Sequence, residues 1–124
     1  MKILVIPLIA LAVIIGLGVF ENIYLNQKFS AFEDKLEELY INTEDETSTY
    51  NDVILLEDWW SAEKAKFHIF IPHTIIKEID FYMSEAKGLI KTERFDVALG
   101  KIEVLKTLAK AIPDSFTVNF GNIF

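Results

Sequence analysis

Cysteine is missing from all 124 residues, which removes disulfides, thiolate zinc sites, cysteine nucleophiles and lipoprotein-type lipid attachment from consideration. Basic charge is scarce as well. Lys and Arg number 12 against 19 Asp and Glu, a formal net charge of −7. Contact with a phosphate backbone needs a basic face, and no dense run of Lys or Arg is present, which argues against nucleic acid as a partner. Glycine-rich phosphate loops, low-complexity stretches and internal repeats are also lacking.

Apolar residues are what the chain has in abundance. They make up 52% of it, against 25% charged, a balance that predicts one small folded domain rather than a disordered chain. Residues 3–20, ILVIPLIALAVIIGLGVF, carry no charge at all. As a helix this run would be roughly 27 Å long at 1.5 Å per residue, close to the ~30 Å hydrocarbon layer of a bilayer. Pro7 falls in the first turns, where a helix tolerates it, and Ala12 with Gly16 makes one small-xxx-small pair. Small residues at Gly16 and Gly18 also fit signal-peptidase cleavage. The length of the run, the single preceding Lys2 and an amphipathic pattern that follows with no linker favour an uncleaved anchor over residues 1–20. The positive-inside count is nearly even, Lys2 and the amino terminus against Lys28 and Lys35. The amino end is placed inside because so short a tail behaves like a signal-anchor and because Glu21, Glu33 and Asp34 dilute the two lysines. Tyr24, just past the run, reads as an aromatic at headgroup level.

Beyond the anchor the spacing is helical. Leu25, Phe29, Phe32, Leu36 and Leu39 recur at four and three, the seam of a first helix that continues out of the membrane and closes near Asn42. Residues 43–46, Thr-Glu-Asp-Glu, read as a capping box that opens helix 2. Helix 2 carries Val53, Leu56, Trp60, Phe67 and Phe70, with Trp59 and Ala62 beside them, and can run to Pro72. Helix 3 shows Ile75, Ile76, Ile79, Tyr82, Met83, Ala86, Leu89 and Ile90. Thr92 is the expected N-cap of helix 4, which shows Phe95, Ala98, Ile102, Leu105, Leu108, Ala109 and Ile112 and is expected to stop at Pro113. Phe116, Val118 and Phe120 alternate with strand period. One short strand cannot pair with itself. The expected architecture is therefore all-α: a transmembrane helix over 1–20, an antiparallel bundle of three to four helices over 21–113, and an extended tail over 114–124.

Both histidines lie around Pro72, in FHIFIPHTIIKEID. His68 and His73 are five apart, whereas two ligands on one helical face need a spacing of three or four. A metal site centred on His73 would have to recruit Asp80, Glu78, Glu57 or Asp58 from elsewhere, and the structural reading, His73 in the first turn of helix 3, is preferred. Trp59 and Trp60 point about 100° apart on a helix. Trp60 is assigned to the core and Trp59 to a candidate surface for a partner, with the alternative that both fill the bundle. The acidic group at 44–46 lacks the alternating oxygen ligands of a calcium loop. Ser and Thr at 47–49 have no nucleophile motif around them.

Five segments together resemble a known family. They are ENIYLN after the anchor, DWW on helix 2, FIPHTIIKEID, ALGKIEVLKTLAKAIPD and the closing NIF. The order is similar to that of small single-pass membrane-anchored bacterial proteins of an uncharacterised family, found chiefly in Gram-positive spore formers. The resemblance implies an anchored, exported helical domain, often encoded beside a multi-pass membrane protein of the YetF type. It implies no activity.

These readings lead to one functional expectation: a non-enzymatic, membrane-tethered, extracytoplasmic interaction module, without cofactor, that binds a membrane protein or a second copy of itself. Trp59, His73, Phe116, Phe120 and Phe124 are its candidate contact residues. Two alternatives stay open, a metal-binding protein or metal-dependent enzyme centred on His73, and a carrier whose aromatic faces line a cavity for a small ligand or lipid.

Overall fold

The computed structural model describes residues 2–67 and 71–116. They form four helices and, among the described residues, no strand: α1 (Lys2–Glu44), α2 (Tyr50–Phe67), α3 (His73–Lys91) and α4 (Phe95–Phe116). At 1.5 Å per residue α1 is about 65 Å long. Its first half projects from the bundle, with large apolar side chains from Ile3 to Phe20 exposed at 40–84%. Its second half is one wall of the bundle.

The reason for the bundle is a shared spacing. Buried positions fall at 25, 29, 32, 36, 39 and 43 on α1 and at 53, 56, 60, 63 and 67 on α2. They recur at 76, 79, 83, 86 and 90 on α3 and at 98, 102, 105, 109 and 112 on α4. Every helix thus alternates three and four, the repeat that packs side chains knobs-into-holes at a shallow crossing angle. Of its two neighbours, α1 packs more closely on α4 than on α2. Large rings fill that wider gap: Phe29 and Phe67 centroids are 4.9 Å apart, and Phe32 stacks on Trp60 at 5.0 Å.

Ion pairs bridge each neighbouring pair of helices and fix the antiparallel register. Lys28 reaches Glu63 at 3.5 Å, Lys64 reaches Asp80 at 3.0 Å, and Lys87 reaches Glu57 at 2.9 Å. Lys101 meets Glu85 at 2.8 Å, and Lys106 of α4 pairs with Glu37 of α1.

The helix ends differ from the sequence reading in three places. Thr43 does not open α2. It lies in the last turn of α1, where its hydroxyl donates to the Leu39 carbonyl at 2.7 Å and meets Ser48 Oγ at 2.8 Å. Asn42 is likewise still helical, and its carbonyl accepts the Thr47 amide at 2.7 Å while the Thr43 carbonyl accepts that of Glu46 at 3.1 Å. Those two bonds, with Glu46 at φ 59°, make a Schellman C-cap with glutamate where glycine is usual. The capping box sits six residues later: Thr49 Oγ1 accepts the Asp52 amide at 3.2 Å, and Asp52 accepts the Thr49 amide at 2.8 Å.

Thr92 is not the N-cap of α4 but the C-cap of α3, its hydroxyl donating to the Gly88 and Leu89 carbonyls. Glu93, at φ 59°, repeats the motif of Glu46, with Arg94 N–H on Leu89 O at 2.8 Å and Glu93 N–H on Ile90 O at 3.0 Å. Pro113, finally, does not stop α4. The helix passes through it to Phe116, because a proline removes one amide and bends a helix without having to end it.

Candidate functional site

Trp59 and Trp60 part company as their 100° separation requires. Trp60 is 1% exposed, and its indole N–H donates to Asp80 Oδ1 at 2.7 Å. Trp59 is half-buried at the α1–α2 edge, tilted on Phe32 at 5.6 Å, with the Lys35 ammonium 5.5 Å from its ring. One face of this indole is covered and the other edge reaches solvent, as suits a rim residue.

His73 is the first residue of α3 and is exposed. Two of the four carboxylates considered as its co-ligands are engaged elsewhere. Asp80 accepts from Trp60 and Lys64, and Glu57 pairs with Lys87. Among the described residues no group of three His, Asp or Glu converges on one point. His68, Phe120 and Phe124 lie outside the described residues, as does Phe70. Phe116 ends α4 at the same end of the bundle as His73. Trp59, level with Phe32, is twelve α1 residues from Phe20, so the structure does not bring it to the histidine.

The bundle interior holds rings rather than a void. Phe29, Phe32, Trp60 and Phe67 are each 0–1% exposed and lie within 6.2 Å of one another along their contacts. A large cleft at the surface is open and charged. It measures about 820 Å³ and runs between α1 and α4, lined by Glu33, Glu37, Glu103, Lys106 and Lys110. Such a lining suits solvent and ions better than a lipid tail.

Two polar residues, Glu63 and Thr43, lie inside the seams, where the sequence reading did not place them. Glu63 is 8% exposed, with Oε1 3.5 Å from Lys28 and 3.8 Å from Lys66. Its Oε2 is buried and has no hydrogen bond among the described residues. Tyr24 lies nearby, its ring 6.0 Å from Phe67. Burial, followed by the negative charge of Glu63, pushes the Tyr24 hydroxyl above its ordinary pKa, with Lys28 acting in the opposite direction. The signal for Glu63 was its position: it is the missing member of the 53, 56, 60, 67 series. Thr43 completes the α1 series in the same way.

An N-terminal helix long and apolar enough to cross a bilayer, followed by a heptad-packed bundle, defines a class that both anchored proteins and proteins with a signal sequence share. The chain belongs to the family described as Domain of unknown function (DUF4363), which it matches over residues 19–123. The match begins where the charge-free run ends and covers the whole bundle. No curated protein and no solved structure matches the chain.

Proposed function

We propose that this chain is a membrane-tethered, extracytoplasmic helical interaction module, an accessory to a membrane protein and not itself a catalyst. The observation that carries the reading is the continuity of α1. One unbroken helix supplies both an exposed apolar stretch of membrane-spanning length and the seam Leu25, Phe29, Phe32, Leu36 and Leu39 of the bundle core. A cleaved leader has no need to be rigidly continuous with a core helix. An anchor that must hold a domain at a set height does. The resemblance noted above names a multi-pass membrane protein of the YetF type as the partner to test first. The Trp59 rim and the exposed Leu55 and Phe81, at 61% and 59%, are the surfaces offered to it.

The anchored, outward-facing arrangement is tested by fractionation. The mature chain stays in membranes through an alkaline carbonate wash, and protease added to wall-stripped cells removes the portion beyond Glu21. A soluble mature protein that begins near Val19 would overturn it. A photo-crosslinking residue at Leu55 tests the partner, the expected product being an adduct with a multi-pass membrane protein and the contrary one an adduct-free chain.

A further inference from the structure

We propose that the end of the bundle where α2 stops at Phe67 and α3 starts at His73 seats on the bilayer headgroup surface, with the α1–α2 and α3–α4 turns pointing away from the membrane. The exposed residues of that seat are Ile23, Lys66, Pro72, His73, Thr74 and Lys77. The inference rests on the anchored reading above and adds the lipid surface that the soluble part itself touches.

Register places the seat at the right height. Tyr24, Lys28 and Phe32 of α1 face Phe67, Glu63 and Trp59 of α2, at 6.0 Å, 3.5 Å and 5.6 Å, so each residue gained on one helix is one lost on the other. On α3, Asp80 faces Lys64 and Lys87 faces Glu57, which brings Lys77 level with Phe67 and hence with Tyr24. Four residues nearer the membrane on both α3 and α1, His73 is level with Phe20, the last residue of the charge-free run. Tyr24 is about 6 Å below Phe20 along the helix axis. The headgroup layer is roughly 5–8 Å thick on each side of the hydrocarbon. His73 to Lys77 therefore spans that layer when residues 3–20 span the hydrocarbon.

Rigidity and charge support the same placement. α1 is helical without interruption from Lys2 to Glu44, so no hinge lets the bundle swing from the surface. Residues 64–77, KAKFHIFIPHTIIK, contain three lysines, two histidines and no carboxylate. Lys64 pairs with Asp80 and Lys66 approaches Glu63, yet the Lys66 side chain is still 60% exposed. The opposite end carries Glu44, Asp45, Glu46, Asp52, Glu93 and Asp96 against Lys91 and Arg94. Glu21 and Glu78 stand at the level of the first end too, which still leaves it the less acidic of the two. An anionic bilayer therefore repels the second end more strongly than the first, and long lysine stems can lie along acyl chains with the ammonium at the phosphates.

Depth-dependent quenching tests this on the full chain in phosphatidylcholine–phosphatidylglycerol vesicles that contain a lipid spin-labelled near the headgroup. Because the chain has no cysteine, a single introduced one takes the only fluorophore. Labels are placed at the exposed positions of Thr74→Cys, Glu46→Cys and, within the span, Val13→Cys. The expected result is quenching at position 74 several-fold greater than at position 46, with position 13 protected from aqueous iodide. Protection at 13 with 74 as weakly quenched as 46 would sink the seat and leave the anchor standing. Loss of protection at 13 would sink the anchored reading, and the seat with it.

Discussion

Trp60 joins three helices through one side chain: its ring stacks on Phe32 of α1 and its N–H donates to Asp80 of α3. Trp60→Ala should cost about 3–5 kcal/mol, the range for emptying a large core site; denaturant titration of residues 21–124 measures it, and a neutral result would mean that the faces are misassigned. Glu63 makes the opposite case. A buried carboxylate with one oxygen unbonded carries a desolvation cost that two loose lysine contacts offset poorly. Glu63→Leu should therefore leave stability unchanged or raise it, and a loss above about 1 kcal/mol would show that the Lys28 pair matters more than its 3.5 Å length suggests. Alkaline pH acts through Tyr24 and three lysines. Hydrogen bonds to Glu57, Glu85 and Glu37 raise Lys87, Lys101 and Lys106 respectively, as burial raises Tyr24. A folded-state pKa above the unfolded one contributes stability that is complete below the unfolded value, about 10 for these groups, and is lost as pH rises through the folded one. The melting temperature should thus hold at neutral pH and fall above about pH 10, less steeply in Tyr24→Phe.

Among the elements, the four seams were readable because each repeats the three–four spacing over five or six positions, enough for the pattern to outweigh single exceptions. The ends were not. A threonine followed by acidic residues fits the start of a helix and equally the last turn of one. What decides is backbone geometry, here the left-handed Glu46 and Glu93, positions where sequence alone leads one to look for glycine. Two predictions separate the assignments. Thr49→Ala should cost about 0.5–2 kcal/mol as the loss of an N-cap; an unchanged denaturation midpoint would return the N-cap to Thr43. Glu93→Gly should stabilise by up to about 1 kcal/mol, since glycine removes the left-handed strain while adding some unfolded-state entropy. A destabilised Glu93→Gly protein would mean that its side chain supplies more than the turn needs.

At the scale of the whole molecule, the core and the projecting helix are separable. Every member of the apolar core lies at Leu25 or beyond, so deletion of residues 1–20 removes exposed apolar surface and none of the packed seam. That fragment should be soluble, helical by circular dichroism and cooperative in melting, whereas the full chain needs detergent or lipid. Non-cooperative melting of the fragment would mean that the first half of α1 contributes to folding.

The sequence by itself determined the helical class, the anchor-length run and the seams, because periodicity and unbroken hydropathy are properties of neighbours along the chain. It placed Trp60 inside by spacing alone. Only the tertiary structure decided that Asp80 serves Trp60 and Lys64 rather than His73, that Glu63 is buried, and that His73 stands at the height of Phe20. Each of these depends on which residues of different helices share a level in an antiparallel bundle. That register is set by ion pairs and ring contacts between residues 16 to 69 positions apart, and no local pattern records it.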